Sequence, residues 1–194
     1  MVKWICVKWF KRKKWTFSGH IPKRLRKVIL VGGPFTSRED VVIAVATLEL
    51  SKFKAKILVN RNWFRFPWTF FLNSVSTLPY LPEDEKALET LLVNKFTNRK
   101  SYAVLLSPEG SLERNDNWNT GFYNAALRFK IPVCVVTIDH RLKDVKFHSW
   151  FEVTGDKEKD MEFMRHFLAA SPAKYPEKGI FRTESEKVNV KDFL

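Results

Sequence analysis

The amino-acid sequence predicts a single α/β domain in which a largely parallel, mixed sheet is flanked by helices. Two observations carry this. Apolar runs rich in β-branched residues alternate with segments of helical periodicity, the pattern of strand and crossover helix. The chain also has 194 residues, 45% of them hydrophobic with 17 Phe and 7 Trp, which supplies one core and no obvious second one.

Taken in order, Lys27–Val31 reads as a buried strand, Glu39–Lys52 as a helix and Lys54–Val59 as a second strand. Glu83–Phe96 places Ala87, Leu88, Leu91, Leu92 and Phe96 on one helical face. Tyr102–Ser107 is the next apolar strand and Thr120–Phe129 the next helix. Ile131–Ile138 is a β-branched strand, Val145–Val153 another, and Asp156–Ala170 an amphipathic helix whose Phe163, Met164, Phe167 and Leu168 face reads as core. No internal repeat or low-complexity linker interrupts the series. The expected organisation is a basic aromatic segment over residues 1–18, the domain over 19–180 and a polar tail over 181–194.

Charge is unevenly placed. Of the net +13, residues 1–27 supply ten Lys or Arg and no acid, leaving only +3 for the rest. Within residues 1–18, Trp4, Ile5, Trp9, Phe10 and Trp15 interleave with Lys11, Arg12, Lys13 and Lys14, a composition suited to a lipid headgroup layer. A solvated basic extension with a few packed aromatics is the plainer reading. A basic stripe also attracts nucleic acid, but tryptophan favours the membrane interface. No apolar run approaches the ~18 residues of a spanning helix, so the expectation is a cytoplasmic protein lying at the inner face of a membrane. Cys6 and Cys134 lack disulfide or zinc spacing, and no metal site is expected.

In open α/β sheets, sites gather where strands end at their carboxyl side, which directs attention to Gly32–Asp40, Ser107–Asn119 and Asp139–Asp144. The first of these runs Val28-Ile-Leu-Val-Gly-Gly-Pro-Phe-Thr-Ser-Arg-Glu-Asp40. The second runs Ser107-Pro-Glu-Gly-Ser-Leu-Glu-Arg114, followed by Trp118-Asn-Thr-Gly-Phe-Tyr123. Together with Ile131-Pro-Val133, Gly155–Phe163 and Lys174–Gly179, these segments resemble the glycerolipid, or lysophospholipid, acyltransferase family in its short bacterial branch. The likeness extends from about Gly19 to Gly179.

The resemblance implies a glycerol-3-phosphate acyltransferase-like fold. It also implies transfer from an acyl thioester, on coenzyme A or acyl carrier protein, to a lysophospholipid-type acceptor in phospholipid biosynthesis, with no other cofactor. In the family a histidine five residues ahead of the aspartate is the base that deprotonates the acceptor hydroxyl. The aspartate is Asp40, but the histidine position is Phe35. A phenyl ring has no lone pair, and losing such a base costs about 10²–10⁴ in rate. Of the other histidines, only His140, in the loop after Ile131–Ile138, lies near the same sheet edge, and its spacing does not favour it as a substitute. Ser37-x-x-Asp40 and Thr36-x-x-Glu39 each fit a capping box, which gives Asp40 a structural role with its imidazole partner gone.

The resemblance assigns acceptor phosphate binding to the second loop, around Glu109, Gly110 and Ser111. The family's arginine there is Leu112, with Arg114 two residues on. A further arginine expected after Leu78-Pro-Tyr is missing, since none occurs from residue 66 to residue 98. Trp63, Phe64, Phe66 and Trp68 suggest an acyl groove or membrane contact, with core packing as the alternative.

Three readings follow: an acyltransferase using a displaced base, a pseudoenzyme that binds lipid or membrane without chemistry, and a basic nucleic-acid-binding or scaffold protein. Loss of the base and of both arginines together favours the second over the first.

Overall fold

The computed structural model describes residues 1–21, 23–115 and 117–179; the predicted tail at 181–194 lies outside them. Among the described residues seven strands form one sheet, β1 (Thr16–Gly19), β2 (Lys27–Gly33), β3 (Lys56–Asn60), β4 (Thr77–Tyr80), β5 (Tyr102–Leu106), β6 (Val133–Asp139) and β7 (Asp144–Phe151). Their spatial order is β1-β7-β6-β2-β5-β3-β4. Every neighbouring pair is parallel except β6 with β7, which form a tight antiparallel return. The mixed, mostly parallel α/β sheet is therefore as the sequence predicts.

Helices cover both faces. On one lie α1 (Val2–Arg12), α2 (Arg38–Leu50) and α3 (Trp68–Ser74); on the other lie α4 (Glu85–Asn98), α5 (Gly121–Phe129) and α6 (Lys157–Ala169). The central strand β2 shows why its sequence is continuously apolar. Val28 and Leu30 face the α1–α3 side, Ile29 and Val31 face the α4–α6 side, and all four are fully buried. Side-chain caps start two of the helices on the second face. Asp84 accepts from Ala87 N at 2.8 Å, and Asp156 accepts from Lys159 N at 3.2 Å.

Every predicted element is present within two residues at each boundary. Four were not anticipated: α1, β1, α3 and β4. Helix α1 packs through Cys6 and Phe10, at i and i+4, and the chain returns through Trp15, so the basic N-terminal segment builds part of the core. Strand β4 contains Pro79, which a sheet tolerates at an edge, and β4 lies at one edge of this sheet. Among the described residues, no helix is long and apolar enough to cross a membrane.

Candidate functional site

The three loops singled out in the sequence meet above the carboxyl ends of β2, β5 and β6. These strands are parallel neighbours, with Val31 beside Leu106 and Gly33 beside Thr137.

Leaving β2, the chain passes through a cis Gly33–Pro34 bond to Phe35. Phe35 is 5% exposed and belongs to the core on the α2 side. Its ring lies over Gly32, where an added Cβ would stand 3.6 Å from Phe35 Cζ and 2.8 Å from Leu105 Cδ1. Glycine at 32 thus makes room for the Leu105 side chain, with the phenyl group at ordinary contact distance. On one side the ring borders an apolar void of about 10 Å³, and on the other a crevice of about 20 Å³ walled by Trp63, Tyr80, Ser107, Gly110 and Ser111. A crevice of that size holds one water molecule, whereas ligand pockets begin near 300 Å³. Ser107 Oγ is buried in this region without a hydrogen-bond partner among the described residues, and it gives such a water a polar neighbour.

Asp40 is fully buried in the first turn of α2. Its Oδ2 accepts from Thr36 N at 2.8 Å, Ser37 N at 2.7 Å and Ser37 Oγ at 3.2 Å, with Ser37 as N-cap, so the capping role holds in the Ser37 register. Its Oδ1 is 2.6 Å from Nε2 of His140. The expectation that Asp40 lacks an imidazole partner is therefore corrected. Parallel pairing of β2 with β6 brings the loop after β6 beside the loop after β2, a juxtaposition that linear spacing does not register. With Oδ1 as acceptor, Nε2 carries the proton, and Nδ1 holds the lone pair of the neutral ring.

The His140 side chain is 11% exposed. The edge of Trp15 stands against it at 5.0 Å, and its main-chain N–H donates to Pro172 O at 2.9 Å. Neither Asp40 nor His140 is among the described walls of the crevice beside Phe35.

The second loop is stitched by backbone bonding. Gly110, at φ +64°, leaves no room for a side chain, since an added Cβ would lie 2.2 Å from Pro82 Cβ. Its carbonyl accepts from Asn60 Nδ2 at 3.0 Å, and Tyr80 Oη donates to Ser107 O at 3.0 Å. Glu109 is buried, with its carbonyl accepting from Asn115 Nδ2 at 3.1 Å, while Ser111 Oγ accepts from Glu113 N at 3.0 Å. Leu112 is half-buried and Arg114 is exposed. Of the predicted residues, Phe35, Trp63, Gly110 and Ser111 thus share one set of walls, and Asp40 turns to His140 instead.

The aromatic segment divides. Trp63 and Phe64 pack against the core, Trp68 stacks edge-on with Phe71 at 5.3 Å, and Phe66 projects outward at 84% exposure with Phe70 at 68%. The basic cluster Lys11, Arg12, Lys13 and Lys14 is exposed at the end of α1.

Both cysteines are buried, and burial pushes the Cys134 thiol up to about 12, so it is inert as a nucleophile. Among the described residues no cluster of three or more His, Cys, Asp or Glu is placed to hold a metal ion. Comparison with family models, with curated proteins and with solved structures finds no match to the chain.

Proposed function

We propose that this protein binds the surface of a phospholipid membrane, using a glycerolipid acyltransferase-like fold whose transfer site is closed. The observation that carries the reading is the outward face of α1. Trp4 and Ile5 are 57% and 55% exposed, and the exposed Lys8, Lys11 and Arg12 follow at the i+4, i+7 and i+8 positions of the same face. Lys8 Nζ sits 3.7 Å over the Trp4 ring. Because Cys6 and Phe10 anchor the opposite face in the core, α1 is a fixed platform rather than a loose arm. Helix α3, which touches α1 in the same layer, adds the exposed Phe70, with the exposed Phe66 just ahead of it.

Apolar side chains standing among cations suit an anionic leaflet, where rings enter the headgroup layer and each nearby cation contributes about 1 kcal/mol. This supports peripheral placement at the inner, anionic face of a membrane. Closure by Phe35 supports lipid binding without transfer, because the crevice holds water at most and the second loop places no buried guanidinium for an acceptor phosphate.

One observation favours a second reading. The Asp40–His140 contact is a carboxylate-imidazole pair of the kind that orients a general base. In that reading His140 replaces the missing base and the chain transfers acyl groups from a thioester. It requires Trp15 to move and a substrate cavity to open.

Flotation of the full chain with phosphatidylcholine vesicles, with and without phosphatidylglycerol, tests the proposal. Removing residues 1–18 would strip Cys6, Phe10 and Trp15 from the core, so point variants on the outward face are the proper instrument. The double variant Trp4→Ala/Ile5→Ala is expected to lower partitioning to anionic vesicles about 10–30-fold at unchanged thermal stability. Undiminished flotation of that variant, or no flotation of the unmodified chain, defeats the proposal.

A further inference from the structure

At the end of the strands opposite the Phe35 crevice, the amino ends of β3 and β5 and the last turn of α2 border a cleft of about 630 Å³. This lies within the size range of ligand pockets. Its cations come from three separate parts of the chain: Lys3 of α1, the run Lys52, Lys54 and Lys56, and Arg99. The one acid on its wall among the described residues, Glu49, is paired with Lys3 at 3.2 Å.

Residues 52–57 alternate exposed lysine with buried Phe53, Ala55 and Ile57, so neighbouring lysines share a side while their stems border an apolar floor. Tyr102, at the margin of the cleft, turns its ring to the α4 side against Phe96 at 5.6 Å, away from that floor. The Arg99 guanidinium stands 5.8 Å from the centre of its ring. A cationic rim and an apolar floor coincide in one cavity.

We infer that this cleft binds the phosphate-bearing headgroup of a single anionic membrane lipid. The lysines and Arg99 neutralise the phosphate, and the glycerol end rests against Val45 and Leu48. The inference rests on the membrane reading above, because Lys3 places the cleft beside the first turn of α1, next to the outward-facing Trp4. Charge alone would also admit nucleic acid. Single strands, however, are held by bases stacking on open aromatic faces, and the aromatics here, Phe53 and Tyr102, are both buried.

The test uses dihexanoyl phosphatidylglycerol as a dispersed monomer, titrated calorimetrically into the full chain, so that no bilayer is involved. Expected is saturable binding of one molecule, abolished in Lys52→Ala/Lys54→Ala/Lys56→Ala. A control with the same charge change on the far helical layer, Lys86→Ala/Arg128→Ala/Lys157→Ala, is expected to bind as the unmodified chain does.

Equal binding by the 52/54/56 variant and the control, or no saturable binding by the unmodified chain, overturns the inference. So does inorganic phosphate or a single-stranded oligonucleotide binding the cleft as tightly as the lipid. Failure of the membrane proposal is read separately, from flotation of the Trp4→Ala/Ile5→Ala variant.

Discussion

Nε2 of His140 lies 2.6 Å from Oδ1 of Asp40, although 100 residues separate them in the chain. Asp40 is fully buried, and its other oxygen is already used by the N-cap of α2, so the imidazole completes the carboxylate's hydrogen bonding. Removing one member of such a pair leaves a buried polar group unsatisfied. His140→Ala and Asp40→Ala are each expected to cost about 2–4 kcal/mol in urea denaturation. The double variant should lose less than the sum by about 1 kcal/mol or more. Strict additivity would show that the contact contributes nothing to the fold.

Phe35 provides a second test, because its ring is packed in the core. Phe35→Leu is expected to cost about 1 kcal/mol, and Phe35→His about 3 kcal/mol, since an imidazole there meets Leu105 and the apolar side of α2 rather than solvent. Equal stability of Phe35→His and the unmodified chain, measured by thermal melting, would place the ring outside the apolar packing.

Much of this architecture is readable from residue patterns, and the reasons for the exceptions are physical. Runs such as Lys27–Val31 declare themselves because a strand buried on both faces must be apolar throughout. Helix α1 was obscured because its outward face carries Trp4 and Ile5, so apolar residues surround it and the Cys6, Phe10 stripe does not stand out. The site was half readable. The apolar character of Phe35 and the capping by Asp40 follow from local sequence, whereas the approach of His140 depends on β2 and β6 being sheet neighbours. Leu78-Pro-Tyr did not announce a strand because proline in a strand is informative only once the edge position is known.

His148 carries a pH dependence. Burial, with a smaller contribution from the neighbouring Lys146 charge, lowers its pKa to about 4 from the ordinary 6.5. Its Nε2 is 3.0 Å from Thr137 Oγ1, and its ring lies 4.4 Å from that of Phe167. Between those two pH values the unfolded chain takes up a proton that the native state refuses. The stabilisation is therefore complete above about pH 6.5 and lost as pH falls toward 4. Allowing for partial exposure, it amounts to about 1–3 kcal/mol. His148→Gln should flatten the fall in Tm between pH 7 and 4, and an unchanged slope would assign that fall to other groups.

The central claim is that the fold meets lipid without transferring an acyl group. The direct measurement is thiol release from an acyl-coenzyme A, with lysophosphatidic acid presented in phosphatidylglycerol-containing vesicles to which the unmodified chain is bound. The expected result is release at the background rate while the protein remains on the vesicles. Release above background that disappears in both Asp40→Asn and His140→Ala would contradict the account and make His140 the base.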